Sequence, residues 1–364
     1  VPETLTLNLS ASVIEITRQL CDLQSVSGNE TPLADAIVAA LAGFDHLEII
    51  RDGDTIVART SLGRAQRVVI AGHIDTVPLN NNLPTRFETL DEVDYLWGRG
   101  TVDMKAGVAV QLKLAAELVA PVVDVTWMWY DHEEVSDDLN GLGRLARNRP
   151  DLFAGDFAIL GEPTNGRIEG GCNGNLRVEI RTFGLRAHSA RAWVGENAIH
   201  KAAPILNILA AYEPRSVEVE GLVYREGLNA VGITGGIAGN VIPDECMVHV
   251  NYRFAPSRSG AEALAHLHEL FPGYEMTVVD LAEGARPGLD APLAQQFLAA
   301  VGGGDAMPKY GWTDVARFSA LGMPAVNYGP GDPLKAHADD ERVALFQITD
   351  CEIGLRSWLT AAAN

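Results

Sequence analysis

Three short, almost unbroken apolar runs restrict this chain more than any other feature. They are Val68-Val69-Ile70-Ala71-Gly72, the stretch from Val122 to Tyr130, and Phe157-Ala158-Ile159-Leu160-Gly161. A strand with one wet face alternates apolar and polar residues. A short continuous apolar run instead reads as a strand covered on both faces, the pattern of parallel sheets. Each run stops at residue types that bind metal: His73-Ile74-Asp75, Asp131-His132-Glu133-Glu134 and Glu162. A fourth run, Ala325-Val326-Asn327-Tyr328-Gly329, leads into a loop carrying His337. Ligands of open parallel sheets bind beyond the carboxyl ends of the strands. Four such ends describe one site, and imidazoles with carboxylates there suit metal-dependent hydrolysis.

To about Gly174, helix and strand alternate. Helical spacing covers 10–24 and 31–42, and a long helical stretch opens at Asp103-Met104-Lys105-Ala106 and runs to about Val119. The style changes at Asn175, where Leu176, Val178 and Ile180 alternate with Arg177, Glu179 and Arg181, a half-buried strand. A helix from about Asn197 to Tyr212, distorted at Pro204, follows. Strands at roughly 222–234 and 246–254, a helix at about 260–271 and a strand at 275–281 complete a β-α-β-β-α-β series, the split ferredoxin-like unit. The expected fold is α/β: a mostly parallel mixed sheet flanked by helices, formed by residues 1–174 and 284–364, with an inserted α+β ferredoxin-like domain at 175–283. A chain of 364 residues exceeds a single typical core, which agrees with two domains. Gly302-Gly303-Gly304 is the one low-complexity tract.

The chemistry follows from residue types. In His73-x-Asp75 the carboxylate is placed to accept the ring N–H, fixing the tautomer of a ligand histidine. Asp103 can span two ions with its two oxygens, although Asp at that place also suits a helix cap. Glu133 and Glu134, being consecutive, point apart, so one can bind metal while the other handles a proton. Gly98-x-Gly100-x-x-Asp103 is close to the dinucleotide fingerprint, but Asp in place of the third glycine would repel a pyrophosphate. A serine hydrolase is disfavoured because no Gly-x-Ser-x-Gly elbow is present. Asp and Glu outnumber Lys and Arg by 48 to 28, a net charge of −20, which argues against nucleic acid or anionic membrane as partner. The four cysteines are dispersed and show no CxxC pair, so free thiols in a reducing compartment are expected. With no membrane span and no signal-peptide pattern visible, a cytoplasmic location is the expectation.

The chain resembles the dinuclear zinc amidohydrolase and exopeptidase family of aminoacylase, acetylornithine deacetylase, carboxypeptidase G and succinyl-diaminopimelate desuccinylase. The resemblance rests on Gly72-His73-Ile74-Asp75-Thr76-Val77-Pro78, Trp97-Gly98-Arg99-Gly100-Thr101-Val102-Asp103-Met104-Lys105-Ala106-Gly107, Asp131-His132-Glu133-Glu134, Gly161-Glu162-Pro163-Thr164 and Ala336-His337-Ala338-Asp339-Asp340-Glu341, in the family's order over nearly the whole chain. It implies two zinc ions per subunit, with cobalt or manganese as substitutes. His73, Asp103 and Glu162 would hold one, and Asp103, Glu134 and His337 the other. Asp75 would support His73, and Glu133 would be the general base. Gly184-x-x-Ala187-His188-Ser189-Ala190 with Gly195-Glu196-Asn197-Ala198 is similar to the family's dimerisation domain, whose histidine, here His188, reaches the partner subunit's site and stabilises the oxyanion. The family usually has Pro shortly after the His-Ser pair, whereas this chain has Arg191.

Within the family, Gly311-Trp312-Thr313-Asp314-Val315-Ala316-Arg317-Phe318 and the stretch from Asn327 to His337 most resemble the desuccinylase branch. The implied reaction is hydrolysis of N-succinyl-L,L-2,6-diaminopimelate to succinate and L,L-2,6-diaminopimelate in lysine biosynthesis. Arg253 matches the family's carboxylate-binding arginine, Asn240 a motif placed near the site from the partner subunit, and Thr313 a further polar contact to substrate. The rivals are another deacylase or dipeptidase of the same family, such as an acetylornithine deacetylase, or an inactive metal-binding homologue.

Overall fold

The computed structural model describes residues 7–301 and 305–361; the Gly302-Gly303-Gly304 tract lies outside them. The chain forms two compact units. One takes the residues up to Gly170 with Gly288–Met307 and those from Arg317 on; the other takes Gly171–Pro287 and Pro308–Ala316.

The first unit is built on an eight-stranded sheet in the order Glu48–Asp52, Thr55–Arg59, Asp124–Tyr130, Arg67–His73, Phe157–Leu160, Ala325–Asn327, Glu169–Gly170, Met307–Pro308. Its four central strands run parallel. The antiparallel pairs lie outside them. Every residue of Asp124–Tyr130 and Phe157–Leu160 is buried, as their apolar composition requires. Asp124 tolerates burial because its oxygens accept from Thr60 Oγ1 and from the amides of Leu62 and Arg64. Register sets the functional edge: His73 lies opposite Tyr130, Ala71 opposite Leu160, and Leu160 opposite Asn327. The chain therefore leaves all four strands at about the same level, on the side where His73, Glu133, Glu134, Glu162 and His337 follow.

Helix Lys105–Glu117 is buried on nearly all sides, which its Val-, Leu- and Ala-rich composition allows. It approaches the sheet at Gly107, where an added Cβ would sit 2.1 Å from the carbonyl oxygen of Gly161. At its start the buried Lys105 ammonium donates to the carbonyls of Leu20 and Leu23, at the C-terminus of helix Val13–Asp22, where the helix dipole favours a cation. Met104 is the cap residue and no side chain caps the helix, so Asp103 is left for other contacts. A small three-stranded sheet of Arg86–Leu90, Val93–Trp97 and Arg342–Ala344 also belongs here.

The second unit holds a four-stranded antiparallel sheet in the order Gly227–Gly235, Glu245–Phe254, Gly174–Phe183, Glu275–Ala282, the ferredoxin-like order. Alternation along Gly174–Phe183 and Glu245–Phe254 turns Leu176, Val178, Ile180, Val248, Val250 and Phe254 into one core with Ala263 and Leu267 of helix Gly260–Leu270. Two elements differ from the sequence expectation. The helix expected over 197–212 is two, Ala198–Lys201 and Ala203–Ala210, because Pro204 belongs in a first turn, where its missing N–H costs nothing. The strand expected over 222–234 is also two, Leu222–Arg225, in a hairpin with Ser216–Val219, and Gly227–Gly235. Among the described residues no helix is long and apolar enough to cross a membrane. Cys21, Cys172, Cys246 and Cys351 are free and buried.

Candidate metal centre

His73 ends its strand fully inside the first unit, with Nε2 3.0 Å from Asp103 Oδ1. Its Nδ1 lies 3.1 Å from the carbonyl oxygen of Asp75 and 3.4 Å from the Asp75 carboxylate, so the main chain shares the orienting role expected of the side chain alone. The Asp75 carboxylate has further work. Its Oδ1 accepts from the Glu133 amide at 3.0 Å, and its Oδ2 from the Glu134 amide at 3.1 Å and the Ser27 hydroxyl at 2.6 Å. Burial opposes ionisation of Asp75, but the bonds with His73, Ser27 and Glu133 prevail and hold its pKa below the usual value. The Ser27 hydroxyl reaches across 48 positions, which leaves no local trace in the sequence.

The turn that carries the two glutamates is braced from behind. Arg144 forks onto Asp131 at 2.7 and 3.0 Å, Thr55 donates to Asp131 at 2.7 Å, and His132 adopts a left-handed φ of 59°. Glu134 then meets His337, whose Nε2 is 2.9 Å from Glu134 Oε2 and 3.3 Å from Asp103 Oδ2. Glu162 follows Gly161, and a Cβ on Gly329 would stand 2.2 Å from the Gly161 oxygen and 2.6 Å from the Glu162 oxygen, so glycine is required for this approach.

These contacts gather the side chains into overlapping sets. His73, Asp103 and Glu162 form one, and Asp103, Glu134 and His337 another. In each, the donor atoms lie within 4.8 Å of one another. Glu133 reaches the same distance from His73 and Glu134, and so stands beside both sets. One imidazole nitrogen with two carboxylates is a donor set that zinc and similar divalent ions accept, with positions left for water. The electrostatics demand positive charge. His337 is pushed up to about 10 by its hydrogen bonds to Asp103 and Glu134. For His73 burial works the other way, yet the bonds to Asp103 and Asp75 raise it well above the usual histidine value. Asp103 is pulled far down, burial notwithstanding, by His337 and His73.

The remaining candidates lie in the second unit. His188 ends the short strand Ala187–His188, which pairs with Val241–Ile242, and it is exposed. Its Nδ1 accepts from the Ala190 amide at 3.0 Å, so the neutral ring carries its proton on Nε2, a donor. Asn240 is brought beside it, its carbonyl accepting from the Ser189 amide at 2.9 Å. Arg253 is half-buried on Glu245–Phe254, opposite Gly227 and Asn175, and burial and nearby Arg177 lower its pKa. Thr313 is buried, and its carbonyl accepts from the Ala316 amide at 3.1 Å.

Comparison with known proteins places this geometry. The model of peptidase family M20/M25/M40 matches residues 69–364. A putative succinyl-diaminopimelate desuccinylase of Mycobacterium tuberculosis is 52% identical over 356 residues, covering 97% of this chain and 99% of that protein. A succinyl-diaminopimelate desuccinylase of Corynebacterium glutamicum is 46% identical, covering 97% and 98%. Among solved structures, a tripeptidase of Staphylococcus aureus matches with a TM-score of 0.77 at 19% identity, over 97% of this chain and 98% of that one. An M20 family metallo-carboxypeptidase of Sulfolobus solfataricus matches with a TM-score of 0.73 at 16% identity, over 96% and 98%.

Proposed function

The chain belongs to peptidase family M20/M25/M40, and on that premise we propose that it hydrolyses N-succinyl-L,L-2,6-diaminopimelate to succinate and L,L-2,6-diaminopimelate, a step of lysine and diaminopimelate biosynthesis. The observation that carries the substrate is identity of 52% and 46%, over 97% of the chain, to two proteins named for this reaction. The family is metal-dependent, and the chemistry of the donor sets fits two zinc ions, with cobalt or manganese able to substitute. His73, Asp103 and Glu162 hold one, and Asp103, Glu134 and His337 the second. When bound, the pair supplies Lewis acidity toward the amide carbonyl and lowers the pKa of water.

The chain's own residues do the rest. Glu133 takes the proton from the attacking water as its oxygen bonds to the acyl carbon, and returns it to the leaving amine as the C–N bond breaks. Asp75 fixes His73 and the Glu133–Glu134 turn in one frame. The Nε2–H of the partner subunit's His188, in a cytoplasmic homodimer formed through the second unit, donates to the developing oxyanion. Arg253 forks onto a substrate carboxylate, with Asn240 and Thr313 as further polar contacts. Such local recognition is needed because a substrate of net charge about −2 meets a chain of net charge −20. The test is a side-by-side assay of succinyl-diaminopimelate, N-acetylornithine and a dipeptide panel on the metal-loaded protein. A kcat/KM for the succinyl substrate at least tenfold above the others is expected; preference for either rival substrate overturns the assignment.

A further inference from the structure

Arg99 and Glu341 form a buried ion pair in the first unit that none of the chemistry above uses. Their Nη1–Oε2 distance is 2.7 Å, and the side chains are 4% and 0% exposed. Burying two charges is unfavourable unless good geometry and further hydrogen bonds compensate, so what the pair holds is informative. The second Glu341 oxygen, Oε1, accepts from the amides of Val102 and Asp103 at 3.0 and 3.2 Å. The Arg99 guanidinium faces the carbonyls of Ala338 and His337 from 3.4 and 3.5 Å. Main-chain bonds repeat the connection: Gly98 N donates to Glu341 O at 3.0 Å, and Glu341 N to Ala338 O at 3.3 Å.

One ion pair thus laces the segment that ends in Asp103 to the loop that carries His337, two of the three donors of the Asp103–Glu134–His337 set. The other donors are fastened elsewhere. Glu134 is held through its amide on Asp75, and His73 through Asp75 and its own strand. Asp103 keeps a second hold through His73. Beyond its ring contacts with Glu134 and Asp103, His337 has less: its side chain is 53% exposed and its backbone sits at a φ of 63° on a loop. We propose that Arg99 and Glu341 are positioning residues that set the Asp103–His337 separation, and so govern the affinity of one ion position while leaving the His73–Asp103–Glu162 position near its full strength. This rests on the two-ion reading of the site.

The test titrates cobalt(II) alone into the metal-stripped full chain, followed by calorimetry and by the visible absorption of the bound ion. The unaltered protein should take up two ions, and His337→Ala identifies which uptake step belongs to the His337 position. Arg99→Met/Glu341→Leu removes both charges at similar volume and leaves no charge unpaired. The expected result is a 10–100-fold loss of affinity, the usual scale for groups that orient ligands, confined to the step that His337→Ala abolishes. The cobalt spectrum of that step should also change. If the double variant does not fold, Glu341→Gln replaces it, keeping size and one acceptor while losing the charge, with a smaller loss expected at the same step. Unchanged affinities in a folded variant overturn the proposal, as does an equal loss at both steps with a lowered melting temperature. Uptake of fewer than two ions by the unaltered protein sinks the two-ion reading first, and this proposal with it.

Discussion

Asp75 shows how much of the site depends on one buried carboxylate. It receives the amides of Glu133 and Glu134 and the Ser27 hydroxyl, and lies beside the His73 ring. In Asp75→Asn one oxygen becomes an NH2 group facing a donor, which leaves buried polar groups unsatisfied. Metal affinity should fall 10–100-fold, read by titration of the metal-stripped protein, and kcat should fall with it because the Glu133 turn is released. An unchanged titration would show that the Asp75 carbonyl alone orients His73. Glu133→Gln separates proton transfer from metal binding. It should keep metal and lose more than the ~10²–10³-fold expected of His188→Ala, which removes a single oxyanion donor. A metal-loaded Glu133→Gln enzyme with near-normal kcat would remove Glu133 from its role. His73, Glu134 and Glu162 were readable because each stands at or just beyond the end of an apolar run, and His337 because a fourth run leads into its loop, whereas Asp103 opens a helical stretch and closes no such run. Their braces were not: Arg99 and Glu341 are 242 positions apart, and neither sits in a pattern that periodicity detects.

At the scale of elements, strands and helices that carry an unbroken apolar run or a sustained period were legible, and short ones of mixed composition were not. Phe157–Leu160 is apolar throughout because both faces are covered. Lys105–Glu117 is buried all round and lies within the helical stretch expected there. By contrast Arg86–Leu90 and Val93–Trp97 are short and mixed, the first largely exposed and the second buried only at Leu96 and Trp97, so nothing in their composition separates them from a loop. The antiparallel hairpin of Glu48–Asp52 and Thr55–Arg59 went unread for a related reason, being brief and half polar. Packing between elements makes its own prediction. Gly107→Ala would place a methyl group 2.1 Å from the Gly161 carbonyl oxygen, a backbone atom that cannot swing aside. The helix must move off the strand end that presents Glu162. A destabilisation of about 1–3 kcal/mol is expected from such overpacking, measured by denaturant unfolding of the metal-free protein, with a parallel loss of metal affinity. A variant with unchanged stability would mean that the helix and the strand end have more freedom than this contact implies.

For the whole molecule, the net charge and the proposed dimer would act on function in opposite ways. A net charge of −20 repels an anionic substrate at long range, so kcat/KM should rise as salt is brought from about 0.01 M to 0.15 M, where the Debye length shortens to about 8 Å. A fall over that range would mean that local positive charge outweighs the net charge even at a distance. Assembly supplies the counterpart, since the proposed oxyanion donor comes from the second copy. Glu133→Gln and His188→Ala homodimers should each be nearly inactive. After dissociation and random reassociation, about half the dimers are mixed, and each mixed dimer holds one site with both an intact Glu133 and the partner subunit's His188. Activity should therefore recover to about a quarter of the unaltered enzyme's. That recovery needs the two groups to act on one substrate from different chains. If both served a site within one chain, a mixed dimer would carry two broken sites, and the mixture would stay as inactive as its parents.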